Sequence, residues 1–320
     1  MFRIIPRISR NALGVSNTRY MSFRPQDSPI AAQRKKVTLS RLAEMRRQNT
    51  PITVLTAYDY PTAQRCERGG VDICLVGDSL AQVCLGYEGT TSLTLDEMVH
   101  HCRAVARGCK SPHLVADMPF GTYHVSVRDA IRNAVRLIQY GNAESVKLEG
   151  GLDVVPVVKA LTEAGLPVMG HIGLTPQRAA ALSGYRVQGR DSNSAYRLVQ
   201  SSKALQDAGA YAIVLEAIPH QLASYITRAL SIPTIGIGAG QGCNGQVLVW
   251  DDAMGNWTGH KAKFVQRFAN LGDVADEGVK AYVEAVRQRA FPAEEHTYEM
   301  HTGEWDKFLA LVEESPAVQL

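Results

Sequence analysis

Ionisable side chains close a series of apolar, β-branched runs in this chain. Asp78 follows VDICLVG, Asp117 ends HLVAD, Lys147 and Glu149 end ESVKLE, and Glu216 ends YAIVLE, while His171 lies in PVMGHI. Charges are seldom buried without partners. Four carboxylates brought to one place repel unless a cation or bound protons compensate. Asp78, Asp117 and Glu149 come from three consecutive runs, so one divalent ion could touch all three. An all-oxygen donor set favours Mg²⁺, which keeps several waters and leaves positions for a chelating substrate. Zinc usually takes His or Cys, and His171 alone is a weak case for it. The plain alternative for each acid by itself is a helix cap or a salt bridge.

Lys147 and Glu149 are two apart on one run, so both side chains point to the same face of a strand. An ammonium there could hold a substrate carboxylate, neutralise Glu149, or serve as a Schiff-base lysine if its pKa were depressed. Glu216 stands two runs further on. A carboxylate near the site but off the metal is a natural base for a proton next to a carbonyl, and its plain alternative is an arginine partner. His171 reads equally as a hydrogen bond to substrate or as an ordinary strand-end histidine. The run Gly236-Ile237-Gly238-Ala239-Gly240 lacks P-loop or Rossmann spacing, which argues against a dinucleotide-binding oxidoreductase. Ser79 has no G-x-S-x-G elbow around it, which argues against a hydrolase nucleophile.

The elements that must position these residues alternate. Strands read at 52–57, 71–77, 113–117, 144–149, 167–172, 211–216, 233–238 and 246–250. Helices read at 94–108 (opened by the capping box Thr94-Leu95-Asp96-Glu97), 126–140, 152–164, 194–208 and 219–229. Near-continuous apolar strands alternating with helices predict a parallel sheet, and eight of them predict a (β/α)8 TIM barrel better than a doubly wound sheet. In such a barrel the strand C-termini surround the mouth, where chemistry sits. The gap between the last two strands is too short for a crossover helix, and 173–193 reads as a long loop over the mouth. A helix at 38–48 precedes the first strand. Another at 303–314 puts Trp305, Phe308, Leu309 and Val312 on one face, a packing or subunit contact.

Composition bounds the rest. With 320 residues, 45% hydrophobic and 20% charged, the chain is globular, and no apolar run is long enough to span a membrane. Lys+Arg 34 against Asp+Glu 31 is too balanced to make nucleic acid the main partner. The small excess is local: Arg3, Arg7, Arg10, Arg19 and Arg24 precede the first acid, Asp27, and without them 29 basic residues face 31 acidic ones. An Arg-rich, acid-free N-terminus has the composition of a mitochondrial transit peptide, so residues 1–36 are expected to be a targeting segment and tail, and the location the matrix. The plain alternative is an exposed tail. Cys66, Cys74, Cys84, Cys102, Cys109 and Cys243 show no zinc or C-x-x-C spacing, which predicts reduced structural thiols.

The segments TAYDY (56–60), VGDSL (76–80), ADMPFGTY (116–123), VKLEGG (146–151), GHIGLTPQ (170–177), GYRVQGR (184–190) and PTIGIGAG (233–240) together closely resemble the ketopantoate hydroxymethyltransferase family, in order, from about residue 37 to 298. The resemblance implies a Mg²⁺-dependent barrel of the pyruvate/phosphoenolpyruvate type. It implies transfer of a one-carbon unit from 5,10-methylenetetrahydrofolate to 3-methyl-2-oxobutanoate, giving 2-dehydropantoate for pantothenate and coenzyme A synthesis. Carried over by motif, Asp78, Asp117 and Glu149 are metal ligands, with the two aspartates also near the substrate. Ser79 and Lys147 contact the oxoacid carboxylate, Glu216 accepts the proton, and His171 and Tyr58 share the mouth. It further implies a large homo-oligomer, a decamer built as a pentamer of dimers, with residues 37–298 as the catalytic barrel and 299–320 as a C-terminal helical extension. Ser183, where the family usually has glycine, and Arg186, where lysine is common, depart from the pattern. The rivals are another Mg²⁺-dependent C–C lyase or mutase acting on a 2-oxoacid, which would work without folate, and a dead barrel serving as scaffold, which the presence of all four acids disfavours.

Overall fold

In a computed structural model, which describes residues 34–257, 259 and 261–314, eight parallel strands close into a barrel in sequence order. They are β1 (Ile52–Thr56), β2 (Ile73–Val76), β3 (His113–Asp117), β4 (Ser145–Glu149), β5 (Val168–Gly173), β6 (Ala212–Glu216), β7 (Thr234–Ile237) and β8 (Gly245–Leu248). Closure runs through β1 and β8, with Val54 opposite Val247. All eight expected strands are present. The short link from β7 to β8 carries no helix, and it suffices because a four-residue strand rises only about 13 Å.

The helices are α1 (Leu39–Arg47), α2 (Tyr60–Gly69), α3 (Leu80–Val83), α4 (Leu95–Gly108), α5 (Val127–Gln139), α6 (Val155–Glu163), α7 (Ser192–Asp207), α8 (His220–Ala229), α9 (Trp250–Met254), α10 (Leu271–Arg287) and α11 (Glu304–Glu314). The capping box at α4 forms as its sequence predicts: Glu97 N–H donates to Thr94 Oγ1, and Thr94 N–H donates to Glu97 Oε2 at 2.8 Å. Four helices lie beyond the sequence reading: α2, α3, α9 and α10. The first is opened by Asp59, whose carboxylate accepts from Thr62 N–H at 2.8 Å, with Pro61 in the first turn. Neither α10 nor α11 buries a single residue. No helix among the described residues is long and apolar enough to cross a membrane. The expected targeting segment lies almost wholly outside the described residues. All six cysteines are free.

Inward positions alternate along each strand. Val54, Ile73, Leu75, Val115, Met169, Val214, Ile235 and Val247 fill the barrel, and Val37, Leu42 and Met45 close its base from α1 and the segment before it. The period of two that buries these side chains also turns Asp117, Lys147, Glu149, His171 and Glu216 inward at the opposite end. Strand register sets Asp117 beside Lys147, Glu149 beside His171 and Gly173 beside Glu216. The outer faces of β2, β3 and β4 are fully buried, whereas Thr53 and Gln246, pointing outward from β1 and β8, are exposed. Among the described residues, no helix covers the barrel at that seam.

Candidate active site

The strand-end groups form one buried cluster. Lys147 Nζ lies 3.0 Å from Asp117 Oδ1 and 3.2 Å from His171 Nδ1. His171 Nε2 is 3.1 Å from Glu216 Oε2, and its Nδ1 is 3.6 Å from Glu149 Oε1. Because the ammonium can only donate, His171 Nδ1 accepts, which puts the ring proton on Nε2, facing Glu216. Burial and the neighbouring Lys147 charge hold the His171 pKa down, so the ring is neutral. Burial works against the Lys147 charge, but Asp117, Asp78 and Glu149 outweigh it and keep the pKa raised. A Schiff-base lysine needs a neutral amine, so this environment disfavours that option.

Four carboxylates against one ammonium leave the mouth short of positive charge. Burial, then the Asp117 carboxylate, pushes Asp78 up to about 7. Burial, then Asp78, likewise raises Glu149. Asp117 Oδ2 accepts the Asp78 N–H at 3.0 Å, whereas its buried Oδ1 has no aligned donor and only the Lys147 ammonium nearby. These are the marks of a site that binds a cation: buried carboxylates that otherwise take up protons, and an orphaned carboxylate oxygen. Among the described residues, no three His, Cys, Asp or Glu side chains already surround a common point. The carboxylate oxygens of Asp78 and Asp117 are donors of the chemical kind that Mg²⁺ takes.

Gln177, the last residue of the segment GHIGLTPQ but given no role from sequence, is the connector of the site. Its Nε2 donates to Asp78 Oδ2 at 2.8 Å and to the Met118 carbonyl at 3.0 Å, its Oε1 accepts from Tyr123 OH at 2.7 Å, and its N–H donates to Glu149 Oε2 at 3.1 Å. The start of the long loop is thus tied into the floor of the mouth. Tight passage there depends on Gly173, whose φ is +99° and whose hypothetical Cβ would stand 2.1 Å from the Glu216 carbonyl. Further along the loop Ser183 has φ +57°, the left-handed conformation that glycine adopts freely, which accounts for glycine being usual there.

Ser79 faces the cavity, and its Oγ is 3.0 Å from Tyr58 OH. Tyr58 is placed one step back. It is fully buried, its hydroxyl accepts from Thr56 Oγ1 at 2.7 Å, and both of its partners, Ser79 and Thr56, line the cavity. Thr90 also lines the cavity, with a buried hydroxyl that has no partner among the described residues.

Two connected spaces open above the cluster. A deep chamber of about 190 Å³ is lined by Asp78, Ser79, Asp117, Lys147, Glu149 and His171. It meets an outer cavity of about 790 Å³ with Trp257, Ile218, Arg186, Lys263 and His220 in its walls. Glu216, Tyr185, Asp252 and Phe264 border both. Tyr185 belongs to the long loop, which thus borders the site as expected.

A (β/α)8 enzyme with a carboxylate-rich mouth is the class this fold and site define. The chain belongs to the ketopantoate hydroxymethyltransferase family, whose model matches residues 36–294. It is 47% identical over 300 residues to the 3-methyl-2-oxobutanoate hydroxymethyltransferase of Emericella nidulans, covering 93% of this chain and 86% of that one. It is 52% identical over 269 residues to the enzyme of the same name from Pelobacter propionicus, covering 84% and 100%. Among solved structures, phosphonopyruvate hydrolase in complex with oxalate and magnesium superposes with a TM-score of 0.53 at 14% identity over 86% of this chain and 97% of that one, a likeness of fold alone.

Proposed function

We propose that this chain transfers a hydroxymethyl group to 3-methyl-2-oxobutanoate, with 5,10-methylenetetrahydrofolate as donor, giving 2-dehydropantoate for pantothenate and coenzyme A synthesis. The names of its relatives support the transfer. The observation that carries the mechanism is the position of Glu216 on the border between a small polar chamber and a larger cavity. A proton taken there exposes a carbon that faces the second space. Asp78 and Asp117, with Glu149 close by, would hold Mg²⁺. Held there, the ion would supply Lewis acidity to the substrate's developing negative charge.

The residues of the chain do the remaining work. Lys147 and Ser79 offer donors to the substrate carboxylate, and Tyr58 and Thr56 hold Ser79 in place. Glu216 takes the C3 proton. His171 Nε2 faces Glu216 Oε2 at 3.1 Å while the ring stays neutral, a donor left for substrate or for Glu216 as it turns. The carbon freed of its proton bonds to the donor's methylene as one of the methylene's two C–N bonds opens, and that nitrogen takes up the proton from Glu216. Water then supplies the hydroxyl as the second C–N bond breaks, its other proton going to the second nitrogen, and tetrahydrofolate leaves. Holding two reactants in adjoining spaces supplies orientation, a contribution of about 7–11 kcal/mol in favourable cases. Incubation with both substrates and Mg²⁺ should yield the hydroxymethylated oxoacid by mass spectrometry. Chelation should stop turnover and added Mg²⁺ restore it. Turnover of the oxoacid without any folate would favour a lyase or mutase instead.

A homo-oligomer is part of this reading, with a decamer as the expected state. Its support is the uncovered seam at β1 and β8 together with α10, which exposes Val274, Val279, Tyr282 and Val286. A second copy of the chain can cover both. Light scattering should show an assembly that Tyr282→Glu dissociates; a wild-type monomer would contradict it. The arginine-rich, acid-free segment 1–26 supports a mitochondrial-matrix location.

A further inference from the structure

Cys66, Cys74 and Cys109 stand together away from the mouth, and nothing in the proposed reaction uses them. Cys74 lies on β2 between Ile73 and Leu75, which fill the barrel, so its side chain points outward, toward α2 and α4. Cys66 is a buried residue of α2, and Cys109 caps the end of α4. Glu67 fixes their spacing. Its Oε2 accepts from Lys110 N–H at 2.7 Å and from Ser111 N–H at 2.8 Å, which ties the segment after α4 to α2. Gly108 permits the close approach, since a Cβ there would come within 2.7 Å of the Tyr60 carbonyl. The Cys74 thiol thus interacts with those of Cys109 and Cys66, and these two neighbours, then burial, raise its pKa well above the ordinary 9.0.

The three thiols differ in access. Cys66 and Cys74 are enclosed by the core, at 1% and 0% exposure, whereas Cys109 keeps 5% and lines a cavity of about 350 Å³ at the base of the barrel. Lys36, Arg107, Lys110 and Glu144 share its walls, and Lys36 pairs with Glu144, which leaves a positive excess. A small uncharged oxidant can reach one thiol of the cluster through that cavity and not the other two. The thiolate is the nucleophile in such attack, and the cations offset the charge that develops.

We propose that Cys109 and Cys74 form a peroxide-oxidisable pair, with Cys109 meeting hydrogen peroxide and Cys74 resolving the product. The Cys109 sulfur, its proton lost to solvent, attacks one peroxide oxygen: an S–O bond forms, the O–O bond breaks, and hydroxide leaves and takes up a proton. Cys74 stays a thiol until this sulfenic acid stands beside it. Its sulfur then gives up the proton and attacks Cys109: the S–S bond forms, the S–O bond breaks, and hydroxide leaves with that proton as water. The two thiols together give up one electron pair, and the peroxide is reduced to two waters. The bond links β2 to the end of α4.

Peroxide treatment of the full chain, blocking of the remaining thiols with N-ethylmaleimide and peptide mapping without reductant test it. Wild type should give a peptide linked through Cys74 and Cys109, lighter by two hydrogens than its parts and released by dithiothreitol. In Cys74→Ala, Cys109 should stop at the sulfenic acid, captured by dimedone, and in Cys109→Ala, Cys74 should stay reduced. Arg107→Glu, at an exposed position, should slow the linkage severalfold and leave the urea midpoint near wild type. Oxidation confined to the exposed Cys84, with Cys74 and Cys109 both still free, would overturn the assignment. So would a Cys109 linked to Cys66. A linkage rate unmoved by Arg107→Glu would overturn access through this cavity. The wild-type map needs no variant, so it decides even where a substitution unfolds the core.

Discussion

The two ends of the barrel hold similar groups in opposite states. At the base, His113 Nε2 lies 3.0 Å from Ser145 Oγ, which meets Tyr211 OH at 2.9 Å. Glu144 accepts from Leu114 N–H at 2.8 Å and pairs with Lys36 at 2.5 Å. At the mouth, four carboxylates share Lys147, and Asp117 Oδ1 and His171 Nε2 lack aligned partners. Both ends combine a histidine, a lysine and carboxylates around buried strand ends. One is satisfied by its own neighbours and stabilises the fold. The other leaves charge and donors unspent, the pattern expected where a ligand completes the bonding. Substitution should therefore damage stability at the base and function at the mouth.

The largest effect is expected at the mouth. Asp78→Asn should lower kcat/KM by at least about a hundredfold, the scale of removing a group that stabilises developing charge. Its melting temperature without metal should not fall below wild type, since one like charge has gone. A marked loss of stability with activity retained would reverse the comparison.

At the base the sign inverts. His113→Leu should cost about 2 kcal/mol in urea unfolding, because a buried hydrogen-bonded group is lost, with activity per folded molecule unchanged. Burial, aided by Lys36 and opposed by Glu144, pushes the His113 pKa down to about 4 from its ordinary 6.5. Between those values the unfolded chain binds a proton that the folded chain refuses. Wild-type stability should thus be full above pH 6.5 and fall toward pH 4, by up to about 3 kcal/mol, and His113→Leu should flatten that window.

The smallest test sits back at the mouth. Thr90→Val removes a buried hydroxyl that has no partner among the described residues, so stability should rise by about 1 kcal/mol, as follows from the cost of leaving such a group unpaired. If the hydroxyl serves substrate, KM for the oxoacid should rise a fewfold at the same time. A destabilised Thr90→Val would show that the group is already paired.

The contrast also marks what was legible beforehand. Strands β1 to β8, the capping box at α4 and the inward acids were readable, because burial on both faces and a period of two leave local traces. Helix α10 was missed although its apolar Val274, Val279, Tyr282 and Val286 stood in the sequence. Helix α2 had a cap at Asp59 and Pro61 in its first turn, signals present but passed over. The role of Gln177 was invisible for a different reason: its partner Asp78 is 99 positions away, and only closure of the barrel brings them together. That Tyr58 holds the chamber-lining Ser79 and Thr56 was not legible either, because a motif shows that a residue matters without showing what it touches.

Proton exchange at C3 of 3-methyl-2-oxobutanoate in D₂O, followed by NMR with Mg²⁺ and no folate, tests the central assignment most directly. Wild type should exchange the proton in a metal-dependent way, and Glu216→Gln should slow exchange by about a hundredfold or more, the contribution expected of a positioned general base. Exchange at the wild-type rate in the variant would contradict the account and move the base to another group.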